Sequence, residues 1–421
     1  MKLEIILIFN ILVFSFDLSK SDNEIFNEYK LKFAKKYKNN EEELKRKLLF
    51  IERLKIIKEN NNNPNRLNTF GINKFTDRFD DELPKTGLNH DLNNLKSKNI
   101  NLKNENLKSA FTIEIPDSYF SCDKINNLCG ETIDQGKCGS CYAAAIINDA
   151  QIRYNYIKKH TFKLNEKIND EFSIQYLLDC GSNTGCDGGY SDETILNAKL
   201  LIPENEYPYE DINITNEKTT HECKIEDKDL HPVMYVYDLT YFSNLDWESI
   251  KALIYNKGSF ITSMFVSDLF KLYYSIENDY LKYSIWNCDV NININGTNHA
   301  VVVDGYGEEI VNGKNIKYLW VRNSWGDDWG DNGHFKINFD MSCGINDKIN
   351  LGYIDEYLNG THEIINFVPD YTFYEDKSST ETVLSAGIII CIVIIFIIFI
   401  LFVLSLITIA VLSIFICKLR N

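Results

Sequence analysis

The sequence predicts an α+β protein that begins with a helical segment and ends with a helix able to cross a membrane. Apolar residues recur at helix spacing after Cys141, which predicts an amphipathic helix. Residues 299–307 form a β-branched run that ends in glycines, which predicts a strand, and residues 383–417 contain no charged side chain. The apolar helix positions are Ala143, Ile146, Ile147, Ala150 and Tyr154.

Residues 1–18 predict a secretory signal peptide. Lys2 precedes an apolar core that has about the length of a signal and is too short to span a membrane. Glu4 weakens the charged start that such signals usually have. The signal predicts that the rest of the chain leaves the cytosol.

The length and charge of the chain limit the kind of protein it encodes. Its 421 residues are enough for two or three structural units of about 100–200 residues. The formal net charge is −16, and phosphate binding needs clustered Lys and Arg, so the composition argues against a nucleic-acid partner. An acidic chain suits an acidic vesicle, where its carboxylates are partly neutralised.

Two motifs organise the N-terminal third. Six residues spaced by three or four positions lie on one stripe of a helix. They are Glu42, Arg46, Phe50, Arg53, Ile57 and Asn61. Residues 71–77 follow with the sequence Gly-Ile-Asn-Lys-Phe-Thr-Asp. An amphipathic surface helix and a turn explain either stretch alone. The Asn-rich residues 89–106 predict a polar linker that is a good place for cleavage.

Cys141 lies where a glycine-rich loop meets the predicted helix. Unpaired N–H groups and the positive end of the helix dipole favour a thiolate over a thiol at this position. A thiolate is the nucleophile that a covalent cysteine hydrolase needs. The alternative is that Cys141 forms a disulfide bond in front of a packed helix.

His299 opens the predicted strand, so its imidazole is expected at the rim of a sheet, where it can act as a general base. The alternative is a histidine that is simply satisfied at a strand end. Asn323 follows a second apolar run, residues 318–321. Its amide oxygen can accept an imidazole N–H and fix the tautomer, and Trp325 can shield that bond from water.

These separated motifs resemble those of the papain-like cysteine peptidases, specifically the cathepsin L branch, over roughly residues 25–355. The order Cys…His…Asn agrees with the signature of that family. The resemblance implies that Cys141 is the nucleophile, His299 the general base and acid, and Asn323 the residue that orients the imidazole. It also implies that Gln135 supplies an oxyanion-hole amide beside the backbone N–H of Cys141.

The resemblance implies a two-lobed catalytic domain over residues 113–355. Its left lobe, up to about residue 225, is expected to be mainly helical. Its right lobe, about residues 226–350, is expected to form a β-barrel-like sheet, with the cleft between the lobes. Residues 19–112 resemble an inhibitory propeptide, because the helix stripe and the motif that follows it match two propeptide signatures. Arg53 departs from the first of these, where the family has asparagine.

The resemblance assigns five residues to substrate binding: Gly188, Gly189, Tyr190, Trp325 and Lys348. The Gly–Gly pair is expected to form a wall whose backbone pairs with an extended substrate, since glycine permits close approach. An ordinary Gly–Gly turn is the alternative. A charge at Asp347 or Lys348 is expected to tune the selectivity pocket, although a surface ion pair explains these two residues equally well. Tyr142 stands where the family usually has tryptophan, which predicts repacking without loss of activity.

Eight of the eleven cysteines are expected in disulfide bonds. The family pattern pairs Cys138 with Cys186, Cys180 with Cys223, and Cys288 with Cys343. Cys122 and Cys129 remain, and they are assigned to a small local bridge by elimination. No Cys-x-x-Cys pairs recur at zinc spacing, so neither a metal nor a cofactor is expected.

Residues 383–417 exceed the roughly 20 residues that a helix needs to cross a bilayer. Lys418 and Arg420 follow at once and predict a cytoplasmic tail, so the chain is expected to be a single-pass type I membrane protein. Residues 356–382 are then a stalk, and residues 418–421 form the tail. The alternative is a removable lipid-anchor signal, although such tails are shorter.

Three sequons predict glycans, at Asn213, Asn295 and Asn359. Taken together, the sequence predicts a monomeric, membrane-anchored lysosomal or secretory cysteine endopeptidase that is made as a zymogen. Its expected partners are protein and peptide substrates and its own propeptide, which acts as its inhibitor. The alternatives are a catalytically inactive papain-like module used for binding or adhesion, and an exopeptidase of the same family.

Overall fold

The computed structural model describes most of the N-terminal segment and of the expected catalytic domain. The described residues are 16–62, 67–68, 70–88, 114–123, 128–160, 171–182, 184–210, 222–224, 234–242, 245–273, 284–288, 296–345, 349–359 and 363–366. They all belong to residues 1–368, the first of two units into which the chain divides, and none of the second unit is described. In the described part of the chain, no helix is both long enough and apolar enough to cross a membrane.

Several predicted features lie outside the described residues. They are residues 1–15 of the signal peptide, the linker 89–106, the sequon residues Asn213 and Asn295, the pocket residues Asp347 and Lys348, and residues 383–417. The third sequon residue, Asn359, is described as the last residue of a strand.

Helices and strands both occur in the described residues, as predicted. The helices are α1 (Asp22–Lys32), α2 (Asn40–Asn61), α3 (Cys141–His160), α4 (Ile174–Tyr176), α5 (Ser191–Ala198), α6 (Trp247–Lys257) and α7 (Asp268–Tyr273). The strands are β1 (Tyr119–Phe120), β2 (Leu200–Leu201), β3 (Met234–Phe242), β4 (Phe260–Met264), β5 (Ile285–Trp286), β6 (His299–Val311), β7 (Lys314–Arg322), β8 (His334–Asn338), β9 (Ile349–Asn359) and β10 (Glu363–Asn366).

The strands form one sheet in the order β2-β3-β9-β4-β6-β7-β8-β5, with β1 against β6 and β10 against β9. All of these pairs are antiparallel except β5 with β8. The register of β6 and β7 places Val302 opposite Arg322. The start of β6 and the end of β7 are therefore neighbours, which brings His299 close to Asn323.

The predicted α+β architecture is confirmed, and the sheet also includes strands that lie beyond two of the predicted boundaries. β1 and β2 both precede residue 225, where the sequence ends the helical lobe, and yet both join the sheet. Residue 355, the predicted end of the catalytic domain, falls inside β9, and β10 extends the sheet further. Pairing satisfies the backbone N–H and C=O groups of these segments. The short strands have no sequence pattern long enough to predict them.

α3 is buried from Cys141 to Tyr154, on its polar as well as its apolar face. Asp149 accepts hydrogen bonds from Arg153 Nε at 3.0 Å and from Ser259 Oγ at 2.5 Å. The amphipathic pattern therefore predicts the helix correctly, but the polar face does not meet solvent. Its side chains pair with one another and with the loop before β4.

The six-residue stripe lies on α2, as predicted, and it binds residues 70–82. Arg46 Nη2 lies 2.7 Å from Glu82 Oε1, and Arg53 Nη1 donates to the carbonyl of Arg78 at 2.6 Å. The apolar members of the stripe are buried. The stripe thus fixes the path of the segment that follows the helix.

Residues 70–82 also contact the part of the chain that follows residue 113. The ring of Phe75 lies 5.9 Å from that of Trp325, edge to face. Lys74 Nζ lies 2.9 Å from Asp134 Oδ2 and 2.6 Å from Asp328 Oδ1. Residues 70–82 are therefore held against the loops before α3 and after β7 by an aromatic contact and a pair of ionic contacts.

Candidate active site

Cys141 is the first residue of α3, as predicted, and its side chain is fully buried. The N–H of Gly87 donates to its sulfur at 3.3 Å, and the N–H of Ala300 also points to it. Ala300 is the second residue of β6, so the sulfur lies beside the strand that carries His299. The N-terminus of the helix and the start of the strand meet at this sulfur.

Burial raises the pKa of the Cys141 thiol, and the surrounding backbone N–H groups offset part of this effect. The sequence analysis predicts a thiolate here, because the helix N-terminus is the only effect on the thiol pKa that the sequence reveals. In the structure the sulfur is shut off from water, which favours the uncharged thiol. The predicted thiolate is therefore wrong for this covered form of the chain.

His299 Nε2 and Asn323 Oδ1 lie 2.8 Å apart. An amide oxygen can only accept, so Nε2 carries the proton and Nδ1 keeps a lone pair. Among the described residues, this buried Nδ1 has no hydrogen-bond partner. Burial lowers the pKa of His299 to about 4, although the bond to Asn323 opposes the shift. His299 is thus a neutral base with a free lone pair.

Asn323 and Trp325 lie in the loop after β7. The N–H of Asn323 donates to the carbonyl of Gly333 at 2.9 Å, which fixes its backbone. Trp325 is fully buried, and its ring centre lies 5.0 Å from that of His299. The indole therefore covers the imidazole–amide bond, as predicted. Phe75 in turn covers Trp325, so this form of the chain does not offer the indole to a substrate.

The side chain of Gln135 is held at both ends of its amide. Its Oε1 accepts from Ser324 Oγ at 2.6 Å. Its Nε2 donates to the carbonyls of Lys85 at 3.1 Å and Cys138 at 2.8 Å. Ser324 adjoins Asn323, so one loop positions both the predicted oxyanion donor and the residue that orients the imidazole.

Residues 85–88 lie against the site and pair with backbone on both sides. The N–H of Gly189 donates to the carbonyl of Gly87 at 2.7 Å, and the N–H of Leu88 donates to the carbonyl of Asn298 at 3.1 Å. Leu88 and Gly189 form a parallel bridge. The glycine wall that is expected to pair with substrate therefore pairs here with the N-terminal segment.

Glycines allow residues 85–88 to lie this close to the backbone of the glycine wall. A Cβ atom on Gly87 would overlap the carbonyl of Gly139, and one on Gly188 would overlap the carbonyl of Gly87. Gly188 also has a φ of +96°, a conformation that favours glycine. Tyr190 follows the wall as the N-cap of α5 and is partly exposed. An ordinary turn would not require two glycines to face each other across the cleft.

Tyr142 anchors the loop that carries the glycine wall. Its O–H donates to the carbonyl of Gly185 at 2.8 Å, and its oxygen lies 2.8 Å from Ser182 Oγ. Its ring lies beneath Gly189, where an added Cβ would come within 2.8–3.1 Å of ring carbons. The tyrosine thus packs under the wall and also binds the loop through its hydroxyl.

The structure joins the cysteine pairs that the sequence names. The bonds are Cys122–Cys129, Cys138–Cys186, Cys180–Cys223 and Cys288–Cys343. Cys141 is the free cysteine among the described residues. The alternative that Cys141 forms a disulfide bond is therefore wrong.

Three contact residues are missed by the sequence analysis. Lys85 and Gly87 follow the second propeptide motif without a pattern of their own, although they touch Gln135 and Cys141. Tyr209, whose O–H donates to the carbonyl of Gln135 at 3.1 Å, also lacks a signal. These contacts join residues that are distant along the chain, so local spacing cannot reveal them.

Two family descriptions match this chain. Residues 115–353 match the papain family cysteine protease domain, and residues 26–83 match the cathepsin propeptide inhibitor domain (I29). The viral cathepsin of Adoxophyes honmai nucleopolyhedrovirus is 30% identical over 316 residues, which are 70% of this chain and 83% of the relative. The viral cathepsin of Epiphyas postvittana nucleopolyhedrovirus is 27% identical over 346 residues, 80% of this chain and 93% of the relative.

The fold is similar to that of solved precursors. The digestive procathepsin L2 proteinase from Tenebrio molitor larval midgut has a TM-score of 0.62 and 24% identity, covering 79% of this chain and 99% of that one. The recombinant stem bromelain precursor has a TM-score of 0.60 and 23% identity, covering 78% and 97%. These likenesses confirm the predicted fold with its N-terminal propeptide.

Replacing Gly87 with alanine is expected to expose Cys141, because the added methyl group overlaps the carbonyl of Gly139 and forces the segment away. In the full-length chain, we expect alkylation of Cys141 by iodoacetamide to accelerate roughly tenfold or more, measured by mass spectrometry. Gly296→Ala is the matched control, since nothing lies within 4 Å of its added Cβ. Equal alkylation rates in the two variants would show that Gly87 does not close the site.

Proposed function

This chain belongs to the papain family of cysteine peptidases, and from that premise we propose that it is a membrane-anchored endopeptidase made as a zymogen. The observation that carries the proposal is the meeting of four side chains at one cleft. They are Cys141, His299, Asn323 and Gln135. The substrates are proteins and peptides that bind in an extended conformation.

Cleavage begins with proton transfer from Cys141 to His299. In the tautomer that Asn323 holds, Nε2 has the proton and Nδ1 has the lone pair. Release of the N-terminal segment admits water and substrate, which removes the burial that favours the uncharged pair. Nδ1 then accepts the thiol proton, and the thiolate becomes available for attack.

The thiolate attacks the carbonyl carbon of the scissile bond, a C–S bond forms, and the carbonyl oxygen gains negative charge. Gln135 Nε2 and the backbone N–H of Cys141 donate hydrogen bonds to that oxygen. His299 gives its proton to the leaving nitrogen, the C–N bond breaks, and a thioester remains. Water, deprotonated by His299, then attacks the thioester, which releases the carboxylic acid product and restores Cys141.

The N-terminal segment keeps the zymogen inactive by occupying this machinery. The carbonyl of Lys85 takes the Gln135 donor that a substrate carbonyl needs. The sulfur of Cys141 faces the N–H of Gly87 and not a carbonyl carbon, so the bound segment is not presented for attack. Removal of the segment frees the nucleophile and the oxyanion donor together.

We assign endopeptidase action because the wall at Gly188 and Gly189 binds backbone, which every interior stretch of a substrate offers. An exopeptidase needs a group that binds a chain end. Exopeptidases of this family usually carry an inserted loop that caps the cleft, and the sequence from Cys186 to Cys223 contains no His-His insertion.

The mature chain, produced from the full-length precursor by removal of its N-terminal segment, is expected to cleave an internally quenched peptide whose two ends are blocked. Cys141→Ala should abolish cleavage, and Gln135→Ala should lower turnover about 10²–10³-fold, as loss of one oxyanion donor usually does. Cys391→Ala controls for loss of a thiol outside the site. Cleavage only of peptides with a free end would indicate an exopeptidase. A folded chain that neither cleaves peptides nor reacts with an irreversible thiol-directed peptide would be an inactive binding module.

Removal of the Tyr142 hydroxyl is expected to weaken substrate binding more than catalysis, because it loosens the loop that carries the glycine wall. Loss of one hydrogen bond of about 1 kcal/mol predicts a KM roughly fivefold higher in Tyr142→Phe, with kcat nearly unchanged. Tyr176→Phe is the matched control, since its hydroxyl also donates to a carbonyl, that of Ala198, at 3.1 Å. Peptide kinetics with equal KM values in both variants would refute a positioning role for Tyr142.

We further propose that residues 383–417 anchor the enzyme as a single-pass type I membrane protein. The uncharged stretch and the basic tail that follows it support this topology. The catalytic domain is then lumenal or extracellular, in a lysosome or vesicle or at the cell surface. In this topology the three sequons lie on the lumenal or extracellular side, where glycans are added. Their asparagines are Asn213, Asn295 and Asn359.

The anchored enzyme is expected to stay with membranes after a wash at high pH, because a spanning helix resists such extraction. The measurement is the fraction of the chain that sediments with washed membranes, detected by antibody. The Lys418→Ala variant should sediment equally, since the apolar span is intact. Release by a phospholipase that cleaves lipid anchors would instead favour the lipid-anchored form, and release by the wash would refute both.

A further inference from the structure

Two carboxylates in the loops beside the catalytic site lie on either side of one ammonium group. Lys74 Nζ is 2.9 Å from Asp134 Oδ2 and 2.6 Å from Asp328 Oδ1. The lysine side chain is 7% exposed, and because burial of a charged amine is costly unless it is paired, the two carboxylates offset that cost. Lys74 belongs to the N-terminal segment, whereas both carboxylates belong to the catalytic domain. We call the pair of carboxylates the acidic notch.

Backbone hydrogen bonds join the two loops that carry the acidic notch. The N–H of Gly326 donates to the carbonyl of Ile133 at 2.9 Å, and Asp134 forms an antiparallel bridge with Trp325. Asp134 Oδ1 also accepts from the N–H of Gly136 at 2.9 Å, which leaves Oδ2 for the ammonium group. All of these bonds lie within the catalytic domain, so they do not depend on the N-terminal segment.

Gly326 makes room for an amine in the acidic notch. An added Cβ at this position would lie 2.8 Å from Lys74 Nζ and 3.2 Å from both Asp134 Oδ2 and Asp328 Oδ1. Gly326 also has a φ of +80°, a conformation that favours glycine. An ammonium group has three donors and no acceptor, which suits two carboxylate oxygens that face the same point. The notch therefore fits the end of a basic side chain.

The acidic notch lies beside the residues that act on the leaving part of a substrate. Asp134 directly precedes Gln135, and Asp328 follows three positions after Trp325, whose ring packs on that of His299. His299 gives its proton to the leaving nitrogen, so the substrate residues after the cleaved bond pass the imidazole and the indole. A long side chain on one of these residues can reach the notch.

Removal of the N-terminal segment takes Lys74 away and leaves the two carboxylates facing each other without a cation. Like charges that are held close together repel each other, and a bound cation relieves this repulsion. We propose that, in the mature enzyme, Asp134 and Asp328 bind the basic side chain of a lysine or arginine that lies one to three residues after the cleaved bond. This inference rests on the proposed function, since it concerns the substrates of the same cleft.

The first test compares internally quenched peptides with blocked ends, which carry lysine or norleucine at each of the first three positions after the cleaved bond. For the mature wild-type enzyme we expect lysine at one of these positions to raise kcat/KM about fivefold, the size of two partly exposed ion pairs. Asp328→Asn should abolish this preference and leave cleavage of the norleucine peptide unchanged. Asp327→Asn is the matched control, because it removes the neighbouring exposed carboxylate, which lies outside the notch.

Reversal of the charge separates recognition from a merely structural role. In Asp328→Lys, a peptide with glutamate at the same position should become a better substrate than the norleucine peptide, because the charges are exchanged. A wild-type enzyme without a preference for lysine at any of the three positions would overturn the proposal. A preference that persists in Asp328→Asn would overturn it as well.

A binding measurement separates failure of this inference from failure of the proposed function. The full-length Cys141→Ala precursor is cut within residues 89–106 by an added protease of another class and freed of its N-terminal segment. Fluorescence anisotropy of labelled peptides should then show a Kd about fivefold lower for the lysine peptide than for the norleucine peptide. This result would support the notch even if the wild-type chain cleaved neither peptide. Equal Kd values would overturn the notch even if the wild-type chain cleaved both.

Discussion

The hydrogen bond between His299 and Asn323 is the constraint on which the catalytic site depends. It is 2.8 Å long, and it requires the start of β6 to meet the chain just beyond β7, which the register of the two strands provides. It fixes the proton on Nε2 and so reserves Nδ1 for the sulfur. Ser324, the next residue, extends the same constraint to Gln135 through a 2.6 Å bond. The loop after β7 thus fixes the orientation and tautomer of His299 and the position of the Gln135 side chain.

The sequence predicts those parts of the site that are local. Periodicity and residue type are enough to place a helix after Cys141 and a strand from His299, and both are confirmed. The pKa of Cys141 is not local, because burial by residues distant along the chain raises it; Gly87, which contacts the sulfur, lies 54 positions earlier. A helix terminus lowers a thiol pKa and burial raises it, and here burial is the larger effect.

The same distinction applies to the cluster around Cys122. Two nearby cysteines predict a small bridge, and the structure contains it. Their neighbours Asp304 and His334 come from two other strands, and no spacing along the sequence connects these four positions. They meet because β1 pairs with β6, and a strand of two residues leaves no periodicity from which to predict that pairing. The grouping of these four side chains therefore follows from tertiary structure alone.

The ring contact between Phe75 and Trp325 belongs to a core that the N-terminal segment shares with the sheet. When that segment is cut away, the catalytic domain loses part of the apolar interior around which it folded. The mature domain then has fewer buried apolar contacts than the precursor has. Maturation is in this sense a one-way step, since a mature chain that unfolds no longer has Phe75 to pack against Trp325.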